Sequence, residues 1–247
     1  MMARQVGVLR SLLIYYAIPG RRRRMRRFYR QFVQPGDLCF DIGAHLGNHI
    51  RAWLDLGARV VAVEPQPHLL TWLERFYGSH PQVTLLPQAV GAAEGTAALY
   101  ISQRTPTVST LSASWMKLVG QDRSFSDVVW DTAVPIPVTT LDRLIEQYGR
   151  PAFTKIDVEG YELEVLQGLS QPLPALSFEY IVAVREMALS CLERLKQLGA
   201  YEFNYSTGES YTLVLPAWVD ATEMANVLSK LEEGSGDVYG RLARRDA

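Results

Sequence analysis

Two carboxylates one residue apart, Asp157 and Glu159, are followed at once by Gly160 in the run Lys155-Ile156-Asp157-Val158-Glu159-Gly160-Tyr161-Glu162. On an extended strand, residues i and i+2 point to the same face, so both side chains would reach one site at the strand's end. Such a pair can share a proton, orient an acceptor or hold a divalent cation. A carboxylate within hydrogen-bond reach of a hydroxyl can also act as general base, so Asp157 and Glu159 are the catalytic candidates. The plainer alternative is that one of them caps the following helix or pairs with Lys155. No third ligand for a metal is evident, and none is expected. His45, His49 and Glu179 are secondary base candidates, and Ser109, Thr110 and Ser112 are candidates for lining an acceptor pocket.

A second constellation lies upstream, in Phe40-Asp41-Ile42-Gly43-Ala44-His45-Leu46-Gly47-Asn48, with Glu64 lying 23 residues beyond Asp41 in Val63-Glu64-Pro65. Gly43 and Gly47 permit a tight strand-to-helix turn, and glycine lets backbone approach a ligand closely. A helix starting there presents its free N–H groups at the carboxyl end of the sheet, where α/β folds bind ligands. An acid at the end of the second strand accepts hydrogen bonds from ribose hydroxyls in such folds. The alternative for Gly43 and Gly47 is a tight connection with no ligand. A dinucleotide fingerprint needs G-x-G-x-x-G, but the middle position here is His45, and Asp41 would repel a pyrophosphate. S-adenosylmethionine has no phosphate and carries an ammonium and a sulfonium, so the acidic turn favours it, with Asp41 facing the amino group.

The elements that must position these residues follow a βαβ rhythm, alternating short β-branched runs with amphipathic ones. Strands are predicted at Asp37–Ile42, Arg59–Val63, Val83–Leu86, Phe153–Val158 and Leu176–Tyr180. Helices are predicted at Gly47–Leu56, Pro67–Tyr77, Thr139–Tyr148, Glu162–Leu169 and Arg185–Leu198. Between Gly91 and Pro137 the pattern is irregular: Thr96–Ser102 reads as an extra strand and Gln103–Asp131 as an insertion or lid. Tyr201–Tyr205 and Tyr211–Leu215, joined across Gly208, read as an antiparallel hairpin. The expected fold is α/β and Rossmann-like, a mostly parallel seven-stranded sheet ending in that hairpin.

Taken in order, Phe40-Asp41-Ile42-Gly43-Ala44, Val63-Glu64-Pro65, Gln88-Ala89-Val90-Gly91, Val138-Thr139-Thr140-Leu141-Asp142 and the Lys155–Glu162 run resemble the FkbM family of methyltransferases. The resemblance spans about Gly36 to Tyr180. It implies a class I methyltransferase fold, S-adenosylmethionine as donor, and a hydroxyl of a sugar, glycan or natural product as acceptor. It also implies that Gln88 and Ala89 lie beside the adenine. The expected cofactor-binding set is therefore Asp41, Gly43, Ala44, Gly47, Asn48, Glu64, Gln88 and Ala89. Two other readings stand beside it: an NAD(P)-dependent Rossmann oxidoreductase, and a non-catalytic module of the same fold that binds a partner.

Twenty-five basic and twenty-six acidic residues give the 247-residue chain a formal charge of −1. That balance hides an asymmetry, since residues 1–30 carry nine Arg and no acid, leaving −10 for the other 217. We expect a basic, helical arm over 1–35 and a methyltransferase domain over 36–247. Leu9, Leu12, Leu13 and Tyr16 precede the Arg21–Arg24 run, and Phe28, Tyr29 and Phe32 follow it. An apolar stripe with a cationic cluster can lie on an anionic membrane surface; the other reading is an arm packed on the domain with its arginines solvated. The acidic body argues against nucleic acid. The uncharged stretch Ser11–Gly20 is too short to span a bilayer, and charges on its far side do not suit a signal peptide. The two cysteines, Cys39 and Cys191, show no zinc or disulfide spacing and suit a cytoplasmic location, with peripheral contact at the inner face of a membrane through the arm.

Overall fold

The structure is a computed structural model describing residues 20–102, 105–120, 125 and 127–243. Its main sheet is built from β1 (Leu38–Ile42), β2 (Arg59–Val63), β3 (Val83–Leu86), β7 (Phe153–Ile156), β8 (Ala175–Ile181), β9 (Tyr201–Thr207) and β10 (Ser235–Leu242), in the order β3-β2-β1-β7-β8-β10-β9. The first five of these run parallel, and β10 is antiparallel to both β8 and β9. The central strands β1 and β7 are buried along their whole length, which is why they read as continuous apolar runs rather than alternating ones. A small second sheet joins β4 (Ala89–Val90), β5 (Gly95–Ile101) and β6 (Thr132–Thr139), with β6 in the middle.

Helices cover both faces. On one lie α1 (Arg21–Tyr29), α2 (Asn48–Leu54) and α3 (Pro67–Tyr77), whose Phe28, Tyr29, Trp53 and Leu73 pack in one cluster with Cys39 and Phe153. On the other lie α5 (Leu141–Tyr148), α6 (Glu162–Gln167), α7 (Glu186–Leu198) and α8 (Ala221–Lys230), which pack Leu144, Val165, Leu192 and Met224 against Phe40, Ile156 and Phe178. Short polar side chains start several of these helices. Thr140 accepts the Arg143 N–H at the head of α5, and Asp220 accepts the Glu223 N–H at the head of α8, each satisfying an orphan donor of the first turn.

Three expectations change. The reversed strand pair exists, but β9 pairs with β10 and not with Tyr211–Leu215. Tyr211 sits at φ 52° and Pro216 follows Leu215, so that segment cannot hold an extended ladder. It lies along β9 instead, tied by the Asn204 side chain, whose Nδ2 donates to the Leu215 carbonyl while its Oδ1 accepts the Leu215 N–H. The irregular middle holds the extra strand expected at Thr96–Ser102, as β5, but also β6 and a short α4 (Ala113–Val119). Strand β7 ends at Ile156, before the two carboxylates. Of the two readings of the basic arm, packing on the domain holds for α1: Arg21, Met25, Phe28 and Tyr29, at helical spacing, are all buried. Leu9, Leu12, Leu13 and Tyr16 lie outside the described residues. Cys39 and Cys191 are both buried free thiols, as the sequence suggests. No helix among the described residues is long and apolar enough to cross a membrane.

Candidate functional site

A cavity opens at the carboxyl ends of the parallel strands, as doubly wound sheets favour. One wall is made by Gly43 and His45 after β1, Glu64 and Gln66 after β2, and Gln88 and Ala89 after β3. The facing wall carries Asp157 and Glu159 after β7, Glu179 on β8 and Asp237 on β10. Thr107, Ser109 and Leu111 contribute from the middle region, and Glu209 and Tyr211 from the segment after β9.

Because β7 stops at Ile156, Asp157 and Glu159 are not brought together by strand alternation. The chain turns instead: Glu159 has φ 54° and Gly160 φ 82°. Glu162, the first residue of α6, accepts the Val158 and Gly160 N–H groups at 3.1 and 3.2 Å, and Thr110 Oγ1 donates to the Glu159 carbonyl at 2.6 Å. A Cβ on Gly160 would fall 2.1 Å from Trp115 Cδ1, so α4 packs where only glycine fits. The turn leaves carboxylate oxygens of Asp157, Glu159 and Glu179 all within 4.8 Å of one another. Glu179, a secondary candidate in the sequence, thus belongs to the central cluster. Three such carboxylates can share a proton, and the same geometry can hold a divalent cation.

Lys155 decides how that cluster is charged. Its Nζ lies 2.6 Å from Asp237 Oδ1 and 3.1 Å from Asp157 Oδ2, and it is buried. Burial works against ionising Asp157, but the Lys155 ammonium outweighs it and holds the Asp157 pKa below the usual range. The sequence alternative in which one carboxylate pairs with Lys155 is therefore realised at Asp157. Neither Glu159 nor Glu179 has an ion-pair partner among the described residues; burial pushes both well above the usual carboxylate range, helped by Glu179 and Asp157 at Glu159 and by Asp157 and Glu162 at Glu179. The site holds one fixed anion and a neighbouring pair that takes up protons readily. Sequence reasoning missed Asp237 altogether, because it comes from β10, 82 residues beyond Lys155.

The cofactor-side candidates divide. Gly43, Glu64, Gln88 and Ala89 line the cavity, whereas Asp41, Ala44, Gly47 and Asn48 do not. Gly43 is fixed by its neighbour's backbone: at φ 85°, a Cβ would lie 1.8 Å from the Asp157 carbonyl oxygen. Gly47 is fixed by packing, since a Cβ would sit 2.6 Å from Tyr77 Cε2. Asn48 opens α2 and Ala44 is buried in the core. Glu64 accepts the His45 N–H at 2.8 Å and the Gln66 N–H at 2.9 Å, joining the turns after β1 and β2. Burial raises its pKa to about 7 in spite of those bonds. With a further bond from the Gln66 side chain, the carboxylate keeps one lone-pair site for a ligand hydroxyl.

Asp41 sits within β1 in register with Lys155 of β7, fully buried, and neither of its oxygens has a hydrogen-bond partner among the described residues. Burial pushes its pKa up to about 8. His49, 3.9 Å away and enclosed by the Tyr29, Trp53 and Tyr211 rings, is pushed down by burial to about 3, and His45 likewise to about 4. Both histidines are neutral at neutral pH and too weakly basic to compete with the carboxylates for a proton. Of the three middle-region candidates, Ser109 lines the cavity and donates to Gln66 Oε1 at 2.9 Å. Thr110 holds the Glu159 turn, and Ser112 caps α4 by accepting the Trp115 N–H.

Comparison with known proteins places this geometry in context. The hexuronic acid methyltransferase AglP of Haloferax volcanii is 25% identical over 154 residues, covering 62% of this chain and 58% of its own. The chain thus spans less than two thirds of that relative's length. Among solved structures, Aeropyrum pernix fibrillarin in complex with natively bound S-adenosyl-L-methionine aligns at a TM-score of 0.45 and 9% identity, over 85% of this chain and 68% of that one. A TehB-like SAM-dependent methyltransferase from Corynebacterium glutamicum aligns at 0.45 and 9%, over 89% and 88%. Residues 41–191, from Asp41 in β1 to Cys191 in α7, match the methyltransferase FkbM domain, and on that match the chain belongs to the FkbM methyltransferase family.

Proposed function

We propose that the protein transfers a methyl group from S-adenosylmethionine to a hydroxyl of an uncharged sugar, glycan or related natural product. The observation that carries this reading is the carboxylate-rich lining of the cavity, in which Asp157 is held ionised and the raised carboxylates gain charge beside a cationic ligand. Glu64, Asp157, Glu159, Glu179 and Asp237 line it against Lys155, with Asp41 buried and unpartnered behind β1. Such a lining suits a ligand bearing an ammonium and a sulfonium and opposes a pyrophosphate, which weighs against the dinucleotide reading. In this reading Glu64, Gln88 and Ala89 of the cavity wall take the cofactor, Glu64 accepting the ribose hydroxyls and the other two flanking the base.

The cofactor supplies a methyl carbon made electrophilic by the sulfonium, so that the C–S bond breaks as the acceptor's C–O bond forms. The protein's share is to align that acceptor and take its proton. Asp157, kept ionised by Lys155, orients the hydroxyl and complements positive charge; the Glu159–Glu179 pair accepts the proton. An acceptor carrying its own carboxylate would meet this acidic wall, so a neutral sugar is favoured over the hexuronic acid named for the Haloferax relative.

Incubation with S-adenosylmethionine and paired neutral and uronic glycosides, read by mass spectrometry, tests this. We expect a one-methyl mass increase on the neutral glycoside, lost in Glu159→Gln. Transfer to the uronic glycoside alone would overturn the acceptor assignment, and NAD(P)-dependent oxidation in place of transfer would overturn the activity.

A further inference from the structure

Helix α1 is amphipathic, but its apolar side is already spent. Met25, Phe28 and Tyr29 are buried, with Phe28 against Tyr239 and Tyr29 against Trp53 and Phe153. The buried Arg21 pairs with Glu209 and lies over the Tyr211 ring, fixing the start of the helix to the body. The side that remains outward carries Arg23, Arg24, Arg27 and Arg30, all exposed. Arg22 is exposed too but pairs with Asp55, the acid that also feels Arg26 and Arg51. Among the described residues none of these four arginines forms an ion pair with an acid, and they stand together on a chain whose residues 31–247 carry −10.

We propose that this arginine face docks the protein on an anionic lipid bilayer by charge alone, without inserting apolar residues from α1. A helix that lies in an interface buries its apolar stripe in the acyl boundary, and here the stripe of α1 is occupied by the domain. What remains is attraction to surface phosphates, which contributes roughly fivefold in partition for each arginine near the surface. A bilayer fits better than nucleic acid for two reasons. The patch is one nine-residue helix, spanning about 13 Å, too short and too convex to follow a polyphosphate track. The acidic body would also repel any strand leaving it, whereas above a planar anionic surface the same repulsion turns the body outward and the arginines inward.

Sedimentation of the full chain with phosphatidylcholine vesicles, with and without phosphatidylglycerol, tests the proposal. Binding is expected only when phosphatidylglycerol is present, and should disappear in about 1 M salt, where the Debye length is near 3 Å. The combined Arg23→Gln, Arg24→Gln, Arg27→Gln and Arg30→Gln variant should lose several hundredfold in partition, roughly fivefold per residue, with an unchanged thermal midpoint. Should that variant fold poorly, Arg23→Gln and Arg27→Gln singly should each lose roughly fivefold. Equal binding to neutral vesicles, undiminished binding of the variants, or displacement from vesicles by an oligonucleotide at matched phosphate concentration would each overturn it.

Discussion

Three carboxylates in one cavity behave differently because their neighbours differ. Asp157 has the Lys155 ammonium beside it, while Glu159 and Glu179 are buried among other carboxylates. Removing the Glu179 charge relieves part of what holds the Glu159 pKa up, so Glu179→Gln should move the acid limb of the pH–rate profile to lower pH. Glu159→Gln should lower kcat by about 10²–10⁴, the range for losing a general base. An unmoved acid limb in Glu179→Gln would mean the pair does not carry the proton. Asp41 offers a stability test with a defined sign. Its folded pKa of about 8 lies above the ordinary aspartate value, so the stability it contributes is present at low pH and lost as pH rises towards 8. Asp41→Asn should therefore flatten the fall in thermal midpoint between about pH 5 and pH 8. The residue types at this site were legible in the sequence, since Asp157, Glu159 and Glu64 stand where strands end. Their charge states were not, because those depend on Lys155 and Asp237, which meet only after β10 has inserted beside β8.

Among the elements, the glycines of the first turn are also contact points between chain segments. Gly43 is pressed against the Asp157 carbonyl, so Gly43→Ala forces β1 and β7 apart at the site. A side chain at its left-handed φ alone costs about 1–3 kcal/mol, and the steric conflict adds to this, so denaturant unfolding should show at least that loss. The parallel strands could be read from the sequence because each is a short, β-branched, buried run. The antiparallel partner of β9 could not: Tyr211–Leu215 has the apolar content of a strand, while β10 carries Gly236 and Gly240 in its interior. A Cβ at Gly236 would lie 2.0 Å from the Ser206 carbonyl oxygen, so this glycine marks close strand approach rather than a loop. Likewise β6 looked irregular because Pro135 and Pro137 interrupt it. It tolerates them because β4 pairs only with Val138 and Thr139, leaving the proline positions with one strand neighbour.

For the molecule as a whole, α1 is part of the core as well as a charged surface. Tyr29 is fully buried among Phe28, Trp53 and Phe153. Tyr29→Ala should therefore cost about 3–5 kcal/mol, as for other large buried rings, whereas a loosely attached arm would lose nothing measurable. Composition showed the charge asymmetry; only the packing of α1 showed which arginines remain available. We expect the cavity at the strand ends to bind S-adenosylmethionine, with Glu64 on its ribose. Calorimetric titration of the folded protein with S-adenosylhomocysteine tests it most directly. One site per chain is predicted, weakened at least about tenfold in Glu64→Ala, which corresponds to about 1.4 kcal/mol. Absence of binding to the folded wild-type protein, or tighter binding of NAD(H) or NADP(H) in its place, would contradict it.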